Sequence, residues 1–452
     1  MDVPQSPANP VEPCRFFQPV DWAACGLTSL VALMVYLFTL APEVTLEYSG
    51  IYATSAMYPG PSVPPGHPLW VIYGWLFIHL IPCSNIAWRI GVGAATAGAL
   101  TCGLIALLVS SVGRRMIEYA GPPAPKQQTA FRLVCGAAAG LGFGFDGCVW
   151  SQVVLADPWP LSLLLFALTI VLLARWFFAP DQRRYLYLAA FIYGLVLTES
   201  QCLITAALGL AGLLAMGDRN LGRNMLLGMA IILWTAYLAQ NQLGQLGWHM
   251  IGSSEGFLEA LIAIVSVAWV FLFIQTRECF TAWKPACLCA LLWLAGLSIC
   301  LLLPILSMTT PPVNWAYPRR VEWLFYTLSR GQYESVFAIT SLSQLATQGA
   351  IYAKCALNDF GGFYLIAAAL PLCHWHKLTL TQRGWLAGIL VVWGVTSLLM
   401  LIGLNLDWQS AEYAKPLFAV SHWILAVLAG CGLMLTGAFW ISPPAAKPDS
   451  SG

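Results

Sequence analysis

Twelve apolar runs, most of them close to twenty residues long, decide what this chain can fold into. They lie near 20–41, 89–112, 132–150, 159–178, 185–198, 201–217, 225–242, 257–276, 286–306, 361–375, 385–404 and 417–440. As a helix, a run of about 20 apolar residues crosses a hydrocarbon layer of about 30 Å. It also pairs every backbone group within itself, which lipid requires. Charge agrees with this reading. Only 9% of the 452 residues are charged and 59% are hydrophobic, where a soluble domain carries about 25% charged residues. Such a chain cannot cover a water-facing surface, so an all-α polytopic membrane protein is expected. A nucleic-acid partner, a disordered hub and a secreted disulfide scaffold are excluded. The 14 Cys are scattered, mostly inside apolar runs, with no CxxC pair, and read as small core residues.

Charge placement sets the sidedness. Residues 1–19 are polar and Pro-rich, with Arg15 as their one base. They lack the basic start of a cleaved signal, so the first span should stay as an anchor. A thirteenth apolar run, 67–82, is shorter and opens on Pro64-Pro65-Gly66-His67-Pro68. If it crossed the membrane, Arg114, Arg115 and Lys126 would lie outside. If it lies in the interface, they lie inside, as the positive-inside rule prefers. Arg183, Arg184, Arg219, Arg223, Arg277, Lys284, Lys377 and Arg383 then fall in inner turns as well. This predicts twelve spans, both termini cytoplasmic, and a juxtamembrane helix at 67–82. The chain divides into an inner tail 1–19, a membrane domain 20–440 and an inner tail 441–452. Two large outer segments remain, 42–88 and 307–360. The second holds Arg319, Arg320, Arg330 and Lys354 on the side where bases are scarce.

Several ordered motifs carry a resemblance. The first outer segment reads Leu40-Ala-Pro-Glu-Val-Thr-Leu-Glu-Tyr-Ser-Gly50, then Pro64-Pro-Gly-His-Pro-Leu69 and Asn85-Ile-Ala-Trp-Arg89. Val149-Trp-Ser-Gln152, Gln182-Arg-Arg-Tyr-Leu-Tyr187 and Tyr193-Gly-Leu-Val-Leu-Thr198 follow. Asn314-Trp-Ala-Tyr-Pro-Arg319, Arg330-Gly-Gln-Tyr-Glu334 and Phe418-Ala-Val-Ser-His422 complete the set. In this order, from about residue 20 to 440, they resemble the membrane-protein family called domain of unknown function 2723, which is linked to the GT-C protein O-mannosyltransferases. The resemblance implies a GT-C-like bundle in the bacterial cytoplasmic membrane. It implies a glycosyltransferase that moves a hexose, mannose among the options, from a polyprenyl-phosphate carrier to a protein or glycan acceptor on the outer face. The family pattern in the first outer loop is Asp-Ser-Gly-Glu, whereas this chain has Tyr48-Ser49-Gly50-Ile51. Two other functions stay open: a catalytically impaired member that binds lipid phosphate or a partner, and a secondary transporter.

Sugar transfer needs a carboxylate to take the acceptor proton, cations to stabilise the phosphate leaving group, and apolar walls for the lipid tail. Glu47 is the candidate base, next to Tyr48 where the family pattern has an acid. Asp157, at an outer turn, is the second catalytic candidate, with helix capping as its alternative. Arg319 and Arg320 suit the donor phosphate, and Arg89 could join them or snorkel at a helix end. Glu199, His67 and Tyr48 complete the outer-face candidates. No residue spacing marks a metal site, and dependence on a divalent ion is left open. Gly142-Phe-Gly-Phe-Asp-Gly147 matches GxGxxG in form, but no strand precedes it. Helix packing by Gly136, Gly140 and Gly144 is expected there instead.

Overall fold

The computed structural model describes residues 16–45, 48–120, 124–242, 255–278, 281–328, 341–404 and 415–441. Among them every regular element is helical. The segment 42–88 follows α1 (Pro19–Thr39) and contains α2 (Ser49–Met57) and α3 (Pro68–Leu80). Then come α4 (Ile86–Ala120), α5 (Pro125–Gly144), α6 (Gly147–Val153), α7 (Trp159–Phe177), α8 (Arg184–Glu199) and α9 (Ala206–Gly217). The second half comprises α10 (Arg219–Gln242), α11 (Glu255–Thr276), α12 (Trp283–Leu297), α13 (Leu302–Met308), α14 (Val321–Leu328), α15 (Leu342–Cys373), α16 (Leu380–Leu404) and α17 (Ala419–Ile441). Proline opens α1, α3 and α5, where its missing N–H costs nothing and its φ is already helical.

Nine helical stretches are long and apolar enough to cross a membrane, and the bent pair α5–α6 makes a tenth. With α8 and the 201–217 segment, each of the twelve apolar runs has become a helix. At 13 residues, α3 is only about 20 Å long, short of a bilayer core.

The boundaries differ from the sequence reading in two places. The basic stretch 113–131 is mostly helix, because α4 runs on to Ala120 and α5 begins at Pro125. Arg115 in this stretch and Arg132 just after it have partners. Arg115 stacks on Phe16, 4.3 Å from the ring centre, and Arg175 approaches the same ring at 4.9 Å. Arg132, on α5, pairs with Asp21 of α1 at 2.6 Å, both buried. The second difference is α15. It starts at Leu342, well before the apolar run, and is interrupted at Gly361, whose φ is 72°. Gln348, Lys354, Asn358 and Asp359 hide this helix from a hydropathy reading.

The expected close packing on α5 is present. A Cβ at Gly136 would lie 3.0 Å from the Ala106 carbonyl of α4, and one at Gly140 would collide with the Cys102 carbonyl. Small residues at such positions let two backbones approach. Inside the bundle, α4, α7 and α17 are 78%, 83% and 89% buried over their apolar windows, whereas α10 and α11 are 33% and 17%. The outward faces of α10 and α11 present Ile231, Ile232, Trp234, Leu238, Val267, Phe271 and Ile274, an apolar surface suited to lipid.

Candidate functional site

Two charged candidates, Glu199 and Arg89, meet the short helix α3 at its two ends. Its first amides point at Glu199, the last residue of α8. Glu199 Oε1 accepts from the Leu69 N–H at 2.8 Å and Oε2 from the Trp70 N–H at 3.2 Å. These are helix-start amides with no partner inside their own helix, and a carboxylate also complements the positive end of the helix dipole. Arg89, in the first turn of α4, treats the other end. Its Nη1 donates to the Ile78 carbonyl of α3 at 3.2 Å, and its Nε donates to the carbonyls of Cys83 at 3.0 Å and Ser84 at 3.1 Å. One acid and one base therefore hold α3 by its two ends against α8 and α4. The body of α3 crosses the first turns of α4, where the Tyr73 hydroxyl donates to the Gly93 carbonyl at 2.8 Å.

His67 precedes α3 in left-handed backbone, with φ 45°. Its Nδ1 is 3.0 Å from Ser62 Oγ in a hydrogen bond, and its ring meets the edge of Tyr52 at 5.3 Å between centres. It is buried, so it orders the 62–67 turn from within.

That turn docks on the second outer segment. The Trp315 N–H donates to the Pro61 carbonyl at 3.1 Å. A Cβ at Gly60 would collide with the Val313 carbonyl, so only glycine allows this approach. A Cβ at Gly66 would lie 2.8 Å from the Leu303 side chain of α13. At the end of α13, the Ser307 carbonyl collects the Asn314 Nδ2 at 3.0 Å and the Arg319 Nε at 3.1 Å, while Ser307 Oγ donates to Asn314 Oδ1 at 2.7 Å. The structure thus joins the segment 42–88 to the segment after α13, with His67 and Arg319 on parts that both rest on α13.

The remaining sequence candidates fall as follows. Glu47 lies outside the described residues, as does Arg330. Tyr48 stands at the start of α2 and is exposed. Asp157 caps the start of α7, its Oδ1 accepting from the Trp159 N–H at 2.7 Å. Arg319 and Arg320 are both exposed. The Arg319 guanidinium lies 5.8 Å from the centre of the Tyr317 ring, and the Arg320 side chain has no partner among the described residues. Sequence reasoning missed Ser307 and Asn314, the pair that fixes Arg319. Both are small polar residues beside an apolar run, and only the position of Asn314 five residues before Arg319 hinted at them.

A family model described as the protein O-mannosyl-transferase TMEM260 N-terminal domain matches residues 49–220. That stretch contains α3 with its two holding residues Arg89 and Glu199, together with His67 and Asp157, and stops short of Arg319. A curated relative, the protein O-mannosyl-transferase TMEM260 of Mus musculus, is 26% identical over 195 residues, which is 40% of this chain and 25% of the relative. The match therefore spans about a quarter of that relative's length. No solved structure matches. The likeness to the protein O-mannosyl-transferase TMEM260 N-terminal domain thus covers α2 to α9 of an all-helical bundle with many membrane-length helices.

Proposed function

We propose that the protein is a membrane glycosyltransferase that moves a hexose from a polyprenyl-phosphate carrier to a protein or glycan acceptor. The reaction takes place on the outer face of a cytoplasmic membrane, and both termini lie inside. The observation that carries this reading is the docking of the first outer segment, within the matched 49–220 stretch, onto the segment that holds Arg319. An acceptor-side loop and a cationic donor-side segment then form one surface at one end of the bundle. Arg319 keeps its position through Ser307, and Arg320 beside it is open to solvent, so both guanidinium groups suit a lipid-linked phosphate.

Glu47 is the proton acceptor in this reading. Glu47→Gln keeps the shape of the side chain but cannot take a proton at neutral pH. It should lower transfer of radiolabelled hexose from polyprenyl-phosphate hexose by about 100- to 10,000-fold while donor binding persists. Transfer at the wild-type rate would remove Glu47 from the mechanism. A second reading, a binding protein without turnover, rests on Tyr48 and Ile51 standing where the family pattern has acids. Under that reading the wild type shows no transfer at all.

A further inference from the structure

Three side chains that the transfer reaction does not use meet inside the bundle, beside two helix breaks. Asp146 stands at the 72° bend between α5 and α6. Its Oδ1 is occupied by the cap of α6, accepting from the Cys148 N–H at 3.1 Å. This turns Oδ2 towards His422 of α17, whose Nδ1 is 3.4 Å away. Asp359 arrives from α15, two residues before the interruption at Gly361. Its Oδ2 is 3.9 Å from the same His422 nitrogen. One donor atom from each of the three residues lies within 4.8 Å of the others. The side chains of Asp146 and His422 are 0% exposed and that of Asp359 is 8% exposed.

Two carboxylates this close in a water-poor interior repel each other strongly, and buried charges of one sign persist only beside a compensating cation. The spacing argues that the cation is an ion. A charge-assisted hydrogen bond between nitrogen and carboxylate runs about 2.7–2.9 Å, shorter than either contact here. Two donors bound about 2.1 Å from one tetrahedral ion stand roughly 3.4 Å apart, which is the separation between His422 and Asp146. The long contact from Nδ1 to Asp146 is the one hydrogen bond of the imidazole among the described residues. Its Nε2 is buried and has no hydrogen-bond partner among the described residues. Instead the ring is packed between Phe360 at 5.0 Å and Tyr352 at 6.1 Å, with Nδ1 aimed at the carboxylates. A buried histidine that served packing alone would be expected to satisfy both nitrogens.

We propose that Asp146, Asp359 and His422 form a divalent cation site within the bundle, close to the end where α1 stops and α17 begins. Mixed imidazole and carboxylate ligands select Zn²⁺ or Mn²⁺ over Mg²⁺ and Ca²⁺, which prefer all-oxygen shells. The ion ties α5–α6, α15 and α17 together at the points where two of these helices are interrupted. This site does not depend on the transferase reading, because none of its residues belongs to the α3 clamp or to the set that holds Arg319.

Direct metal binding tests it. The full chain in detergent is stripped with a chelator, exposed to Zn²⁺ or Mn²⁺ alone, desalted and assayed by elemental mass spectrometry. Wild type should keep about one ion per chain and should melt at a higher temperature with the metal than without it. Asp146→Asn, which keeps an oxygen for the α6 cap, Asp359→Asn and His422→Gln should each lose the ion and the metal-dependent rise in melting temperature. Wild type that holds neither ion overturns the proposal, and so do folded variants that keep as much metal as wild type. Because the readout is binding, a chain without transferase activity still gives a decisive answer.

Discussion

Glu199 is 2% exposed, yet both its oxygens accept from amides of another helix. An acid in an apolar hairpin stands out in the sequence because charge near lipid is rare. What it does was not legible, because its partners Leu69 and Trp70 lie 130 and 129 residues away. Arg89 serves the far end of α3 through carbonyls only 5, 6 and 11 residues away. Glu199→Gln keeps one acceptor and sets an NH₂ group against an amide that needs one. The cost should be about 1–3 kcal/mol, read as a lower melting temperature in detergent with the mature fold retained; an unchanged melt would show that the clamp is dispensable. Arg319 and Arg320 make a different prediction. If both contact the donor phosphate, replacing both with Ala should weaken polyprenyl-phosphate binding by roughly 3 kcal/mol or more. Unchanged binding would assign them to lipid headgroups.

Helices were the most legible level. Each apolar run was long enough to need internal backbone pairing, and each became a helix. The failures have a common cause: polar residues inside a buried helix. Gln348 of α15 is buried, and Arg114 of α4 is buried as well, so hydropathy started α15 late and ended α4 early. The length of α3 leads to a topology test. In a cysteine-free background, Cys83 restored alone and Tyr58→Cys, both at exposed positions, should react with an impermeant thiol reagent from the same outer side. Lys126→Cys should react only from the inside. Labelling of positions 58 and 83 from opposite sides would make α3 a span and reverse every helix after it.

Which helices form the centre could not be read from the sequence, since nearly all of them are apolar on every face. Only the structure separates α4, α7 and α17, whose apolar windows are mostly buried, from the pair α10–α11 at the rim. That pair packs through its own small cluster of Leu226, Ala230 and Val265 with Ala211 of α9. Local opening follows buried contact, so amide exchange in detergent should be slowest in α4, α7 and α17 and faster in α10 and α11. Equal protection across all five would contradict this division. The clamp on α3 has one more consequence, for the order in which the molecule is made. Arg89 leaves the ribosome soon after α3, but Glu199 follows Leu69 by 130 residues. At about 5–20 residues per second of synthesis, the amides at the start of α3 wait roughly 7–26 seconds for their carboxylate. Until then the nascent outer segment is moored at one end, and it can dock on α13 only after a further hundred or so residues have been translated.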